Sequence, residues 1–393
     1  MMAGLLFARA GCRTLVLEKH ADFLRDFRGD TVHPSTLEVM NELGVLEDFL
    51  QRPHQRLVRL GADFAGEHVE LADFSTLGAT CKFIAFVPQW HFLDFLADTG
   101  RSLPTFTLEM WAEVRRLIEE KNRVVGVHAD TSAGPLDVRA KLVIGADGRD
   151  STVRACAGLT ADTIGAPIDV LWFRIPRDGG AANEPLFNAG PGHIVVCIDR
   201  GDYYQCAFVI AKGGAEAVKA RGIEAFRTAV ATTVPRLAGK VGALRGFDDV
   251  KLLTVAIDRL RRWSRPGLLM IGDSAHAMSP IGGVGINLAV QDAVAAANVL
   301  AEALCNGALT DQDLEKVRRR RLWPVRATQF IQIQAQNRIL APILAARNKA
   351  PRPPLLFRIV SRTPWLKRGF AAIIGLGIRP EHVHSPERAK FMS

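Results

Sequence analysis

The 393-residue chain has no run of about twenty apolar residues, the length a membrane-spanning helix needs. Its apolar stretch near the C-terminus, "FAAIIGLGI" at 370–378, is far too short. It has no charged start followed by an apolar run and a small-residue cleavage site, so no export signal is expected. Cys12, Cys81, Cys156, Cys197, Cys206 and Cys305 form no CxxC pair and no metal-ligand spacing, and the ten histidines are scattered. This argues against a zinc module or a redox dithiol and leaves a reduced cytoplasmic chain with its cysteines as small core residues. Tyrosine is scarce: only Tyr203 and Tyr204 occur. Acidic residues are missing from 316–380, where fifteen Lys and Arg lie. Those fifteen exceed the whole chain's net charge of +9, so the remainder is net acidic.

What is present is ordinary for a globular chain of two domains: 48% hydrophobic and 23% charged residues, with 34 glycines. "MMAGLLFARAGCRTLVLEKH" reads as a small-residue helix, a turn at Gly11 and a buried strand ending in Glu18. Pro34 and Ser35 start a helix carrying Leu37, Met40, Leu43 and Leu46 at 3–4 spacing. Residues 56–88 read as short strands, a helix follows Pro88, and "EEKNR" marks a hairpin turn. "KLVIGAD" and "GLLMIGD" are buried strands, whereas residues 160–262 alternate apolar and polar residues, apart from a helix at 223–234. A helix over 285–304 follows, and the remainder is helical, broken by prolines. The expected fold is α/β. One Rossmann-like nucleotide-binding domain is assembled from 1–55, 89–158 and 264–305. A mainly antiparallel sheet from 56–88 and 159–263 is inserted, and 306–393 is a C-terminal helical region.

Three segments carry chemistry. Glu18, ending "TLVLE", suits a carboxylate that accepts from a ribose diol; a surface glutamate at a strand end is the plainer reading. "LVIGADGRDSTVR" places Asp147 and Gly148 in a tight turn, with Ser151 as a helix cap and Arg154 beyond it. Such a turn lets backbone approach a dinucleotide or a reductant, and it also serves as a bare strand–turn–helix connection. "GDSAHAMSPIGGVGINLAVQDA" is the most specific segment. Asp273 ends a strand, Pro280 precedes a glycine loop, and Gly282, Gly283, Gly285, Ile286 and Asn287 open a helix whose N-terminus attracts negative charge. That end can stabilise an anionic reduced flavin ring, with Asn287 donating to the same edge.

The last two segments, in this order and separation, resemble the flavoprotein aromatic hydroxylase family, single-component monooxygenases of the para-hydroxybenzoate hydroxylase type. Asp147–Gly148 and Gly272–Asp273 resemble its second and third fingerprints, and Glu18, followed by Lys19, its ribose-binding acid. Arg28 in "RGDTVHPST" resembles the arginine that reaches the FAD ribose and pyrophosphate, and Gln89 in "VPQWHFLDFL" a glutamine beside the flavin. The resemblance runs from residue 1 to about 345. It departs at the start: the family's first fingerprint, a strand plus GxGxxG, is expected just before Met1, where "MMAGLLFARAG" resembles the helix that follows it.

The resemblance implies FAD as cofactor, NAD(P)H as co-substrate and no metal. It implies hydroxylation of an aromatic or quinone-like small molecule by O2 through a flavin C4a-hydroperoxide. It places Tyr203 and Tyr204 in the sheet that contacts substrate; on a strand, one of them faces the pocket and the other points away. Reduction or halogenation on the same fold is the alternative enzyme reading, and a truncated paralogue that holds no FAD the non-enzymatic one. His276 beside Ser274 and Asp273 does not make a hydrolase, because no GxSxG elbow is present and consecutive residues cannot form a triad on one turn. In 316–380, Trp323, Phe357, Trp365 and Phe370 sit among the arginines. This suits peripheral contact with the inner membrane surface, a solvated helical cap or a homodimer contact; no nucleic-acid motif accompanies the charge.

Overall fold

A computed structural model describes residues 1–24, 31–177, 186–346 and 351–390. The chain opens with α1 (Met2–Arg9), β1 (Thr14–Leu17), β2 (Thr31–Val32), α2 (Pro34–Glu42), α3 (Leu46–Leu50) and β3 (Gln55–Leu57). There follow β4 (Arg59–Phe64), β5 (Glu67–Asp73), β6 (Ile84–Phe86), α4 (Gln89–Arg101) and β7 (Phe106–Glu109). A meander of β8 (Glu113–Glu120), β9 (Arg123–Thr131) and β10 (Gly134–Arg139) leads to β11 (Val143–Gly145) and α5 (Thr152–Cys156). Next come β12 (Ala161–Thr163), β13 (Ile168–Pro176), β14 (Phe187–Gly190), β15 (His193–Asp199), β16 (Tyr203–Ala211), α6 (Ala215–Lys219) and α7 (Ile223–Thr233). The last strands are β17 (Lys251–Thr254), β18 (Asp258–Leu260), β19 (Ser264–Arg265) and β20 (Leu268–Met270). The helices α8 (Gly285–Cys305), α9 (Asp311–Ala335), α10 (Ala341–Ala345), α11 (Leu355–Arg362) and α12 (Pro364–Gly375) complete the chain.

The nucleotide-type strands are parallel but divided. β1 pairs with β7, and β11 pairs with β20, in two separate sheets. The nucleotide-type strands of the expected Rossmann-like domain thus lie in two pieces among the described residues. β1 and β11 each have one edge with no partner strand among the described residues. The larger sheet has seven strands in the order β17-β13-β16-β15-β14-β4-β5, mostly antiparallel. One of its faces is covered by α6 and α7 through Phe173, Phe208 and Phe226. The other, with Ile168, Val170, Ile194, Ala207 and Val209, packs against α10 and against Ile281. Alternation along each strand sends neighbouring residues to opposite faces.

α8 is buried along most of its length and packs on α1 and α9. Residues 281–305 are long and apolar enough to cross a membrane, which the sequence reading did not note; 72% of the most apolar stretch is buried, as in a core helix. The cysteine expectation is corrected for one pair. Cys12 and Cys305 form a disulfide with Cα atoms 5.5 Å apart, tying the α1–β1 turn to the end of α8. Cys81, Cys197 and Cys206 are free and buried, and Cys156 is exposed.

His33, preceding α2, is fully buried, with Nδ1 2.7 Å from the Ile374 carbonyl and no partner for Nε2 among the described residues. Burial pushes its pKa down to about 4. The unfolded chain takes up this proton near pH 6.5, so His33 favours the fold above that pH. The contribution is lost as pH falls from 6.5 toward 4, by roughly 3 kcal/mol. Urea unfolding across that range should show the decline, and a His33→Asn variant should decline less. Equal slopes for parent and variant would rule His33 out as the cause.

Candidate cofactor and substrate site

The strand β20 ends at Met270, and after Ile271 the residue Gly272, at φ 61°, turns the chain so that Asp273 follows the strand end. Asp273 Oδ2 accepts from Arg149 Nε at 3.2 Å, and Arg149 Nη2 donates to the Met278 carbonyl at 2.9 Å. The second and third fingerprints are thus joined by an ion pair. Arg154 completes the brace through Asp258 and the Ser274 carbonyl, both at 3.4 Å, and the Arg149 carbonyl. Ser151 caps α5 as expected. Asp147 accepts from the Ser151 hydroxyl and the Val153 N–H, so its carboxylate holds this turn together.

The glycine loop closes on β2. Gly282 and Gly283 have φ of 79° and 63°, a region that favours glycine. Thr31 Oγ1 donates to the Gly283 carbonyl at 2.8 Å, and Thr31 pairs with Phe86 on β6, just before Pro88 and Gln89. Gln89 starts α4, half-buried, and its side chain makes no hydrogen bond among the described residues. Pro280, Gly282, Gly283 and Gly285 form one loop held against β2. Asn287 lies there too, but its side chain is fully engaged. Oδ1 accepts from His33 N–H and Thr36 Oγ1 at 2.9 and 2.7 Å, and Nδ2 donates to the Thr31 and Gly283 carbonyls at 3.3 and 3.2 Å. Through these bonds the amide closes the loop on β2.

The N-terminus of α8 itself is bare. No side chain caps it, its first turn holds no acid, and the N–H groups of Gly285, Ile286 and Asn287 have no acceptor among the described residues. Asp273 Oδ1 lies 4.0 Å from where a Cβ on Gly285 would sit. Donors without acceptors, backed by a helix dipole and approachable because glycines replace side chains, fit the electron-rich edge of a flavin ring. Glu18, half-buried just after β1, accepts from the His20 N–H at 3.0 Å. Lys19 is exposed, and Arg28 lies outside the described residues.

Several positioning residues escaped the sequence reading. Gln329, Gln332 and Gln336 form a buried stripe continuing from α9. Gln329 Nε2 donates to the Ala277 carbonyl at 3.1 Å, Gln332 Nε2 to the Ser279 and Ile281 carbonyls at 3.0 and 2.9 Å, and Gln336 Nε2 to Ser279 Oγ at 2.6 Å. Together they hold the segment that leads into the glycine loop. Their 3–4 spacing in "QFIQIQAQ" was the available signal. Behind the Gly272 turn, Asp292 accepts from Gly272 N–H at 3.0 Å, His276 Nε2 at 2.6 Å and Arg321 Nε at 2.9 Å. His276 is thereby a buried structural partner, and Ser274 donates to the Gly145 carbonyl.

Tyr203 and Tyr204 separate as alternation requires. Tyr204 packs in the α7-covered core, with Arg177 Nε 3.3 Å from its hydroxyl. Tyr203 points to the opposite face, the one turned toward Ile281, with the Arg174 guanidinium 5.1 Å from its ring centre.

With this site on the fold, the matches to known proteins make the chain an FAD-dependent oxidoreductase of the monooxygenase type. The chain belongs to the FAD binding domain family, whose profile matches residues 1–330. Among its relatives is the 6-methylpretetramide 4-monooxygenase of Streptomyces rimosus, 36% identical over 362 residues, which are 92% of this chain and 86% of that protein. The rifampicin monooxygenase of Streptomyces venezuelae is 30% identical across 75% of this chain, which spans 60% of that longer protein. In fold the chain is similar to p-nitrophenol 4-monooxygenase PnpA from Pseudomonas putida DLL-E4. There the TM-score is 0.72 at 21% identity, covering 96% of this chain and 95% of the other.

Proposed function

We propose that this protein hydroxylates a polycyclic aromatic small molecule of the polyketide type, with NAD(P)H and O2. The cofactor segments are 1–55, 89–158 and 264–305, and the substrate sheet comes from 56–88 and 159–263. One observation carries the reading: Ile281, beside the glycine loop, packs against the same apolar sheet face that presents Ala207, Val209 and Tyr203. The 36% identity to a pretetramide monooxygenase over most of both chains supports a flat, fused-ring substrate.

What bound FAD supplies is two-electron redox chemistry between the nicotinamide and O2. The N–H groups of Gly285, Ile286 and Asn287 would hold its ring edge, and Gly282 and Gly283 would admit it closely. Gln89 offers an unengaged side-chain amide at the start of α4. The sheet face excludes water from the substrate ring, and the Tyr203 phenol orients it. The C-terminal helices add a peripheral contact with an anionic membrane.

The test is to titrate the purified chain with FAD and follow NAD(P)H oxidation with and without a pretetramide-type aromatic. The expected results are flavin binding, substrate-stimulated oxidation and one labelled atom from 18O2 in the product. Tyr203→Phe should weaken substrate binding about tenfold, the loss of one hydrogen bond, while Tyr204→Phe leaves it unchanged. A chain that takes up no flavin would end the reading. Oxidation that needs no O2 would point to a reductase, and a larger effect at Tyr204 would reverse the assignment of the two faces.

A further inference from the structure

The helices α11 and α12 cover the β5 edge of the seven-stranded sheet with one side only. Val360 and Ala371 are buried, and the Phe357 ring centre lies 6.2 Å from that of Phe64. Arg358 pairs with Glu67 at 3.0 Å and Lys367 with Glu70 at 2.8 Å, and Asp73 accepts from Ser75, so the three carboxylates of β5 are already engaged.

The outer side is of a different kind. On α11 it carries Leu355, Leu356, Ile359 and Arg362, and on α12 Trp365, Arg368 and Ile373, at the spacing of one helical face. Leu355 is 74% and Trp365 73% exposed. Arg362 and Arg368 pair with no carboxylate among the described residues, and residues 316–380 contain no acid. Leucine, isoleucine and tryptophan in water beside unpaired arginines are unfavourable for a face meant to stay solvated.

We propose that the outer faces of α11 and α12 dock this protein on an anionic phospholipid surface, deepening the membrane contact named above. Such a surface meets both halves of the pattern: the acyl boundary takes the leucines and the isoleucines, the indole sits at headgroup depth, and lipid phosphates pair with the arginines. A second copy on a two-fold axis would set Arg362 and Arg368 against the same arginines. An acidic protein would satisfy the charges and leave the apolar residues without a reason. Because an aromatic polycycle partitions into the same interface, docking there would bring the substrate sheet close to its supply.

The test needs lipid binding alone, so its outcome is separate from whether the chain oxidises anything. The full chain is sedimented with vesicles of phosphatidylcholine and of phosphatidylcholine with phosphatidylglycerol. Expected is binding to the anionic vesicles only, falling as salt rises. Arg362→Glu with Arg368→Glu, and separately Leu355→Ser with Trp365→Ser, should each weaken it by roughly tenfold or more. All four residues are exposed, so an unchanged melting temperature shows that each variant is folded, and either variant suffices. Equal binding to both vesicle types, no binding at low salt, or binding insensitive to both variants would overturn the proposal. So would self-association abolished by the Leu355→Ser, Trp365→Ser variant, which would assign the face to a second copy.

Discussion

Asp292→Ala should destabilise the protein by roughly 3–5 kcal/mol, the range for breaking a buried ion pair from one side. Asp292 is wholly buried on α8 and receives three donors: the Gly272 N–H, His276 Nε2 and Arg321 Nε. Removing it leaves the Arg321 guanidinium, itself 1% exposed, without its nearest carboxylate; Glu381 lies farther, at 3.5 Å. Burial by itself would push the Asp292 carboxyl up, but His276 and Arg321 together outweigh it and hold the pKa below the usual value. The sign follows: the group contributes stability above about pH 4, where the unfolded carboxylate is ionised, and loses it as pH falls further. Urea unfolding of Asp292→Ala and of Arg321→Met is the measurement. A loss under about 1 kcal/mol in both would show that the cluster adds nothing net. Because Asp292 holds Gly272, the residue before Asp273, the variant should also bind FAD more weakly than its stability loss alone explains.

Gly283→Val should lower FAD affinity by roughly a hundredfold or more, equivalent to about 3 kcal/mol. A Cβ at position 283 would lie 2.3 Å from Thr31 Oγ1 and 3.2 Å from Thr31 Cβ, and the backbone is at φ 63°, which side chains rarely adopt. The Thr31 hydroxyl also bonds the Gly283 carbonyl, so it cannot withdraw without opening the loop. The bare N-terminus of α8 would be displaced with it. Gly307→Ala is the control: its φ is 72° but nothing lies within 4 Å of an added Cβ, and it sits beyond the end of α8. It should cost about 1 kcal/mol and leave FAD binding intact. Equal flavin affinity in Gly283→Val and the parent would remove the glycine loop from the cofactor site.

Much of this was legible in the chain. The helix expected at 285–304 is α8 at Gly285–Cys305, and that expected at 223–234 is α7 at Ile223–Thr233. The "EEKNR" turn is a hairpin with Lys121 and Asn122 at φ 47° and 61°. The alternation along β16 required the two tyrosines to part. Each of these depends on periodicity or turn chemistry within a few residues.

The rest was decided in three dimensions. Cys12 and Cys305, 293 residues apart, meet only because α1 packs beside α8. Asn287, read as a donor to a flavin edge, also bonds His33, Thr36, Thr31 and Gly283, which no local pattern announced. Asp292 and Arg321, and the glutamines at 329, 332 and 336, are unremarkable polar residues until burial leaves each of them only protein partners. By itself the sequence determined the family and the elements that carry the site, because glycine turns, strand ends and helix starts are local. Only the tertiary structure decided which polar groups are engaged inside the protein and which remain open, because that depends on what the fold packs against them.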